Sequence, residues 1–396
     1  FTAGAGLGLL LLMVSSHLPE NRSALKLALP FLAMLAYGLI FSSGHETSDI
    51  LRDVWYGAKL VCCLIIGFLL GFRERDARVA LHFLILFAVL SSLWTIFRGL
   101  TEVPEIRTTG SGEVAEVIRL PLVALAAIPV LLERIRVSQS KAVIWDFAAL
   151  GLIAIAILFS SSRTTILSAL ILLFAWAGVF SSWKRATIGT LAFLAIVGLA
   201  WLLLPEFNGV DLTVAAKLRR SLDEILLTDG FDTRMAILNW RGFEAYNAQL
   251  MFDQLPALNQ IFGAGLGALV DLGGVYQIGD EMAYRYIPVL HNGYYYLLIK
   301  YGVVGLLIYL AAVATLGHWR PRSGVNSNAI EERILRGLIL IILTSTAVIS
   351  GLYNRSELHG ITILAAWLIG YIHAKRTAAG HTLPDLTNRS LATARA

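Results

Sequence analysis

Residues 143–181 read VIWDFAALGLIAIAILFSSSRTTILSALILLFAWAGVFS, two long apolar runs separated by the polar stretch Ser160–Thr164. An α-helix needs about 20 apolar residues to cross the hydrocarbon layer of a membrane. Each run is close to that length, so the pair predicts two membrane-spanning helices joined by a short turn. Arg163 lies in that turn, between the two apolar runs.

The composition of the whole chain agrees with this interpretation. Of its 396 residues, 57% are hydrophobic and 15% are charged, whereas charged residues make up about a quarter of a soluble domain. The mean hydropathy is +0.70, and the formal net charge is +5. These values exclude a disordered chain, a nucleic-acid-binding module and an ordinary water-soluble enzyme. The two cysteines, Cys62 and Cys63, are neighbours in an apolar run, so they form neither a disulfide framework nor a CxxC metal site.

Similar apolar segments recur along the chain and predict an all-α polytopic membrane protein. The predicted spans lie near residues 2–16, 24–43, 54–72, 77–97, 114–132, 143–160, 164–181, 186–204, 292–316, 333–352 and 359–374. The chain opens at Phe1 without an initiator Met, and the first span is short. We therefore expect that the natural start is missing and that the protein has about 11 or 12 transmembrane helices.

The distribution of lysine and arginine over the short connections predicts the orientation. Every second connection is basic, and the basic residues are Arg73, Arg75, Arg78, Arg134, Arg136, Lys141, Lys184, Arg185, Arg320, Arg322, Lys375, Arg376 and Arg389. Basic connections stay on the cytoplasmic side of a membrane. The intervening connections, which carry Glu46, Asp49 and Asp53 among others, should therefore face outward.

One long outward-facing loop divides the chain. We predict N-terminal transmembrane helices over 1–204, the large outer loop over 205–291, C-terminal transmembrane helices over 292–374 and a cytoplasmic tail over 375–396. A loop of this length inside a compact domain is usually functional or disordered. This one is rich in Leu, Trp, Tyr and Phe, which favours an ordered loop, and its periodicity predicts short helices.

Within the loop, the stretch Gly263-Ala264-Gly265-Leu266-Gly267 resembles a phosphate-binding loop only superficially. No Lys-Ser/Thr pair follows it, and no strand and helix flank it as that motif requires. Glycines that let the backbone approach a substrate or a neighbouring helix explain the stretch better.

Three residues are the strongest candidates for chemistry. Arg163 would lie at the outer membrane edge, Arg234 opens a predicted helix of the outer loop, and His291 stands where the chain re-enters the membrane. A guanidinium can bind phosphate oxygens in a bidentate manner. A histidine titrates near neutrality and can accept a proton from a hydroxyl. The alternatives are an arginine that snorkels to the membrane interface for Arg163, a solvated surface charge for Arg234 and a helix-terminal hydrogen bond for His291.

Other residues are candidates for auxiliary roles, and some kinds of chemistry are disfavoured. The arginines expected near the outer side are Arg98, Arg107, Arg119, Arg241, Arg285 and Arg355. The chain has no HExxH motif and no paired-aspartate motif in an outer loop, so we expect no metal and no cofactor. A nucleophilic arrangement of Ser161 or Ser162 with His291 remains open, although no nucleophile elbow supports it.

Residues 150–310 contain a series of short motifs in a recognisable order. Ser162-Arg163-Thr164 begins a span, Arg234 and Trp240 follow in the outer loop, and then come the glycine stretch and His291-Asn292, with Gly302 and Gly305 in the next span. This pattern resembles the O-antigen ligase and O-antigen polymerase family of bacterial membrane glycosyltransferases. The N-terminal half of the chain resembles the family only in having hydrophobic spans.

The resemblance implies an inner-membrane enzyme whose active site and large loop face the periplasm. Such an enzyme moves a glycan from undecaprenyl diphosphate to an acceptor hydroxyl, without a metal or a nucleotide sugar. The resemblance also implies that Arg163 and Arg234 bind the diphosphate and that His291 acts on the acceptor hydroxyl. Arg241, Arg285, Arg355 and Asn292 are expected to assist in substrate binding.

The acceptor and the function class remain open at the level of sequence. We slightly favour an O-antigen ligase, whose acceptor is the lipid A–core, over a polymerase. A protein oligosaccharyltransferase would use the same donor. A transporter is the alternative from a different class, and its signature would be charged residues within spans, broken helices and an inverted repeat. The expected partners are the lipid-linked donor, the lipid A–core and membrane lipids, but no nucleic acid.

Overall fold

The computed structural model describes most of the chain as helix. The described residues are 19–74, 76–109, 119–138, 143–160, 162–203, 239–276, 283–317, 330–349, 351–353 and 357–382. Outside them lie the predicted span 2–16, Arg234, Arg355 and residues 205–238 of the outer loop. The division of the chain at residues 204, 291 and 374 stays a prediction.

Five of the described helices are long and apolar enough to cross a membrane. They cover Arg22–Ile40, Thr47–Arg73, Ala77–Thr101, Val143–Ser160 and Gly293–Gly317. Each coincides with a span predicted from the sequence. This helical architecture is the one expected of an all-α membrane protein.

The first group of helices precedes the outer loop. These are α1 (Pro19–Ile40), α2 (Thr47–Arg73), α3 (Ala77–Thr109), α4 (Ala127–Val137), α5 (Val143–Ser160), α6 (Arg163–Trp176) and α7 (Trp183–Leu203). A 3₁₀ helix, Leu122–Ala126, leads into α4. α1 packs against α2, α3 against α5, and α4 against α5 and α6.

The second group begins in the outer loop. It comprises α8 (Trp240–Gln254), α9 (Ala257–Phe262), α10 (Gly293–Gly317), α11 (Ile330–Ile349) and α12 (Glu357–Thr382). Two antiparallel strands, β1 (Val270–Tyr276) and β2 (Tyr284–Ile287), lie between α9 and α10. Sequence periodicity predicted only short helices in the loop, so this hairpin is an addition. α10 packs against α1, α8, α9 and α11.

The closest helix packing joins α2 to α12, although about 300 residues separate them in sequence. Gly67 and Gly71, four residues apart on α2, face Ile363 and Trp367 of α12. A Cβ atom placed on Gly71 would lie 1.9 Å from the carbonyl oxygen of Trp367. Small residues with this spacing let two helices approach closely where lipid removes the hydrophobic driving force between them. The glycines therefore hold the C-terminal helix against the N-terminal half of the chain.

We expect Gly71→Ala to destabilise the protein by about 1–3 kcal/mol, because the added methyl forces α2 and α12 apart. The matched control is Gly151→Ala on α5, where a Cβ atom meets no described atom within 4 Å. That change should be neutral or stabilising by up to about 1 kcal/mol, since alanine favours helix. Unfolding of the two purified variants in detergent compares them. Equal stability of the two variants would contradict close packing at Gly71.

Two predicted spans differ from the helices that form. Residues 114–132 were predicted as one helix, but Pro121 is extended (φ −56°, ψ 129°) and is followed by the 3₁₀ helix and the 11-residue α4. Pro121 has no backbone N–H to donate, and its extended ψ takes the chain out of the helical conformation, so the helix is interrupted there. The helix predicted over 164–181 stops at Trp176 instead, and Gly178 follows in the left-handed conformation that often ends helices.

α10 is broken in its interior. Gly302 has φ 66° and ψ −170°, so residues 293–301 and 303–317 form two helical pieces. A side chain at this position would also collide with the backbone of α9, because a Cβ atom would lie 2.3 Å from the carbonyl oxygen of Ile261. Non-helical backbone at membrane depth is tolerated where protein surrounds it. The break gives the first piece, which follows His291, its own orientation.

Candidate functional site

His291 lies directly before α10, on the segment that connects β2 to this helix. The neighbouring Asn292 caps the helix, because its Oδ1 accepts hydrogen bonds from the backbone N–H groups of Tyr294 and Tyr295 at 3.0 and 3.4 Å. The predicted substrate-binding residue Asn292 thus has a structural role that fixes where α10 begins. The cap also fixes the backbone that carries the imidazole.

The His291 ring pairs with Glu244 of α8. The Nδ1 atom of His291 is 2.7 Å from Oε2 of Glu244, and the backbone N–H of His291 donates to the same oxygen at 3.1 Å. The indole N–H of Trp240 donates to the other carboxylate oxygen. The Glu244 side chain is only 5% exposed, and that of His291 is 23% exposed. The carboxylate is buried with its hydrogen bonds made, while the imidazole remains reachable.

This contact determines which imidazole nitrogen is basic. A carboxylate accepts hydrogen bonds, so the Nδ1 atom facing Glu244 carries hydrogen and the neutral ring holds its lone pair on Nε2. A histidine held in this way is suited to act as a general base.

Two predicted arginines begin helices of the described structure. Arg241 is in the first turn of α8, three residues before Glu244, so the two residues are neighbours along the helix surface. Arg163 is the first residue of α6, and Ser162 caps this helix by accepting a hydrogen bond from the N–H of Thr165 at 3.4 Å. Both arginines are partly exposed. The predicted Arg234 and Arg355, like Ser161, lie outside the described residues.

Arg285 belongs to the β hairpin and already has an anionic partner. Its Nε and Nη2 atoms donate to the two carboxylate oxygens of Asp271 at 3.2 and 3.1 Å. The hydrogen bond from Arg285 lowers the pKa of the Asp271 carboxyl below its usual value. The bidentate edge of this guanidinium therefore serves the pairing of β1 with β2.

The glycine stretch 263–267 docks onto helices, in agreement with the glycine-based close approach predicted from the sequence. The N–H of Gly265 donates to the Lys300 carbonyl, and the N–H of Leu266 donates to Ser42 Oγ at 2.9 Å. Gly265 has φ 89°, and a Cβ atom there would lie 2.2 Å from the carbonyl oxygen of Phe41. The ring of His45 adds a contact of 2.8 Å to the Ala264 carbonyl. The turn between α1 and α2 consequently lies at the same end of the helices as the outer loop.

A buried ion pair between Lys300 and Asp53 lies beneath this stretch. Lys300 Nζ is 2.6 Å from Asp53 Oδ2, with side chains 2% and 0% exposed. Asp53 also accepts hydrogen bonds from the backbone N–H of Gly267 at 2.7 Å and from the Tyr296 hydroxyl at 3.1 Å. Lys300 donates in addition to the Ala268 carbonyl. The pair joins α2, the glycine stretch and the first piece of α10 at one point.

Sequence reasoning identified His291 but missed Glu244, Asp53 and Lys300. Lys300 had a usable signal, because it is a charge inside an apolar run and such charges are rare within spans. Glu244 had a weaker one, its helical i,i+4 spacing from Trp240. In neither case could the sequence name the partner, which lies 47 residues away for Glu244 and 247 residues away for Lys300.

The described residues contain no cluster of three or more His, Cys, Asp or Glu side chains that could hold a metal ion. No protein-family model matches the chain, and no curated protein matches its sequence. Because neither comparison finds a match, the resemblance to O-antigen ligases rests on the motifs alone. The structure defines a class, a helical membrane protein with a carboxylate-paired histidine at the start of one of its long apolar helices.

Proposed function

We propose that this protein is an O-antigen ligase-like glycosyltransferase, which moves a glycan from undecaprenyl diphosphate to a sugar hydroxyl of the lipid A–core. The observation that carries the proposal is the Glu244–His291 pair at the start of α10. It supplies an oriented general base where a long apolar helix begins, and a donor with a lipid tail would present its head group at such a position.

The reaction assigned to this site is a direct displacement. His291 Nε2 accepts the proton of the acceptor hydroxyl, and the acceptor oxygen forms a bond to the anomeric carbon of the glycan. The bond between that carbon and the phosphate oxygen breaks, and the lipid diphosphate leaves as an anion. Attack from the opposite face inverts the anomeric centre. No metal or cofactor takes part in this scheme.

In the proposed mechanism, arginines stabilise the negative charge of the leaving diphosphate. Arg163, at the start of α6, and Arg234 bind the diphosphate and stabilise the negative charge that develops as it leaves. Arg241 lies one helical turn from Glu244 and is the nearest auxiliary arginine along the chain. Because Arg285 is paired with Asp271, we give it a structural role in the hairpin instead.

The proposal includes a location. We place the protein in a bacterial inner membrane with about 11 or 12 spans, its basic connections in the cytoplasm and the loop over 205–291 in the periplasm. The alternation of basic and acidic connections supports this orientation. The membrane lipids and the lipid-linked donor are the partners that it requires.

An O-antigen polymerase, or a protein oligosaccharyltransferase, would use the same donor and the same base. A cellular experiment separates the first of these from a ligase. Deletion of a ligase leaves long polymer on the carrier lipid and a bare lipid A–core, whereas deletion of a polymerase leaves core that bears at most one repeat. We expect the first pattern, visible on a gel of extracted lipopolysaccharide. The second pattern would reassign the protein to polymerisation.

A membrane transporter is the second candidate, and two observations favour it. α10 is broken at Gly302, and the charges of Asp53 and Lys300 are buried in the helical part of the protein. However, the Asp53 and Lys300 side chains hydrogen bond to protein groups on α2, α10 and the glycine stretch, an arrangement that serves to hold the fold together. Glycan transfer also gives a role to the Glu244–His291 pair, whereas transport gives it none.

A further inference from the structure

Arg52 of α2 is a partly buried cation to which neither the sequence nor the proposed reaction assigns a role. It precedes Asp53 and lies near the start of α2, at the same end of the helices as the glycine stretch and His291. Its Nη1 atom pairs with Asp49 Oδ1 at 2.9 Å, one helical turn earlier. This ion pair occupies only the Nη1 atom of the guanidinium and holds the group in place.

The other side of the Arg52 guanidinium lacks an acceptor. Its Nε and Nη2 atoms are buried and have no hydrogen-bond partner in the described part of the chain. These two atoms form the side edge of a guanidinium, whose parallel N–H groups match two oxygens of a phosphate or a carboxylate. A buried donor without an acceptor costs about 1–3 kcal/mol, more when it is charged. Such an edge calls for an oxyanion.

The charges around Arg52 are compatible with an anionic ligand. Asp53 is engaged by Lys300, and Asp49 by Arg52 itself, so the two carboxylates are balanced by two cations. The Arg52 side chain is 28% exposed as a whole, while its Nε and Nη2 atoms are buried, so a head group reaches this edge only when the side chain turns or the atoms that cover it move.

We propose that Arg52 binds a phosphate group of a membrane amphiphile through its Nε and Nη2 atoms. Two sources share this chemistry, the head group of an anionic phospholipid and the diphosphate of a lipid-linked substrate. The inference concerns binding alone and does not depend on glycan transfer, so each can fail without the other.

The test uses the full chain in phosphatidylcholine nanodiscs, with wild type, Arg52→Gln, Arg52→Lys and the control Arg78→Gln. Arg78 is an exposed arginine beyond the opposite end of α2. One arm measures the affinity for inorganic pyrophosphate by its effect on the melting temperature. The other arm adds phosphatidylglycerol to the nanodiscs and counts retained lipid by native mass spectrometry.

We expect Arg52→Gln to weaken binding of one of the two probes about tenfold to hundredfold, and Arg78→Gln to leave both unchanged. The affinity of Arg52→Lys should lie between those of Arg52→Gln and wild type, because an ammonium keeps the charge but lacks the two parallel N–H donors of a guanidinium. Loss confined to pyrophosphate identifies a diphosphate site, and loss confined to phosphatidylglycerol identifies a phospholipid site. If Arg52→Gln unfolds at too low a temperature for binding to be measured, the comparison of Arg52→Lys with wild type is used instead. The proposal is overturned if the variant that is measured binds both probes as tightly as wild type does. It is also overturned if wild type binds neither probe.

Discussion

Replacement of His291 by alanine should lower the rate of glycan transfer by about 10²–10⁴-fold, the usual contribution of a general base. The KM for the lipid-linked donor should change little, because the imidazole acts on the acceptor hydroxyl. The measurement is the initial rate with purified protein in detergent. The matched control is His82→Ala, an exposed histidine near the start of α3 whose Nδ1 contacts the Arg78 carbonyl.

Glu244→Gln tests whether the carboxylate works through the histidine. A positioning role predicts a kcat between those of wild type and His291→Ala, with the donor KM unchanged, and no additional loss in the double variant. Glutamine keeps the size of the side chain but has one acceptor oxygen, so it can accept from the indole of Trp240 or from the backbone N–H of His291 but not from both, and the melting temperature of the variant shows whether the fold is kept. Full activity of His291→Ala, with normal insertion into the membrane, would remove the base from the mechanism.

The second large effect concerns stability. Asp53→Ala should destabilise the protein by about 3–5 kcal/mol, because it leaves the Lys300 charge buried without a counter-charge. It also removes the acceptor of the Gly267 N–H and the Tyr296 hydroxyl. Thermal or denaturant unfolding of the purified variants gives the measurement. Asp253→Ala, at an exposed carboxylate of α8, is the control and should change stability little.

The double variant Asp53→Ala/Lys300→Met separates the ion pair from the other contacts of Asp53. Removing both charges eliminates the unpaired buried ammonium, so the double variant should recover part of the stability lost in Asp53→Ala. A double variant less stable than Asp53→Ala would show that Lys300 contributes through contacts other than this pair. Wild-type stability of Asp53→Ala would contradict the central position of the pair in the fold.

The helices could be predicted from the sequence to the extent that local hydropathy determines them. The spans 143–160 and 292–316 agree closely with α5 and α10, since each is an uninterrupted apolar run. The span over 114–132 was wrong because apolar content alone ignores Pro121, and the break at Gly302 was missed because Gly302 is one of many glycines in apolar segments. Its unusual conformation is set by contact with Ile261 and Gly263, which are distant in sequence.

The candidate site could be predicted only in part. His291 stands out because histidine is unusual at the start of an apolar run. Glu244 and Asp53 look like ordinary polar residues until the chain folds, because each acquires its role from a partner that is distant in sequence. The proposed roles of Arg163 and Arg234 stay predictions from the motifs.

In vitro transfer tests the central claim most directly. Purified protein would be incubated with synthetic undecaprenyl-diphosphate glycan and purified lipid A–core in the presence of EDTA, and the product read as a gel shift. The account predicts a shift with wild type and His82→Ala that is lost with His291→Ala. Lengthening of the carrier-linked glycan without a shift of the core would make the protein a polymerase. A well-folded wild-type protein that transfers glycan to neither acceptor would contradict the account and favour a protein oligosaccharyltransferase or a transporter.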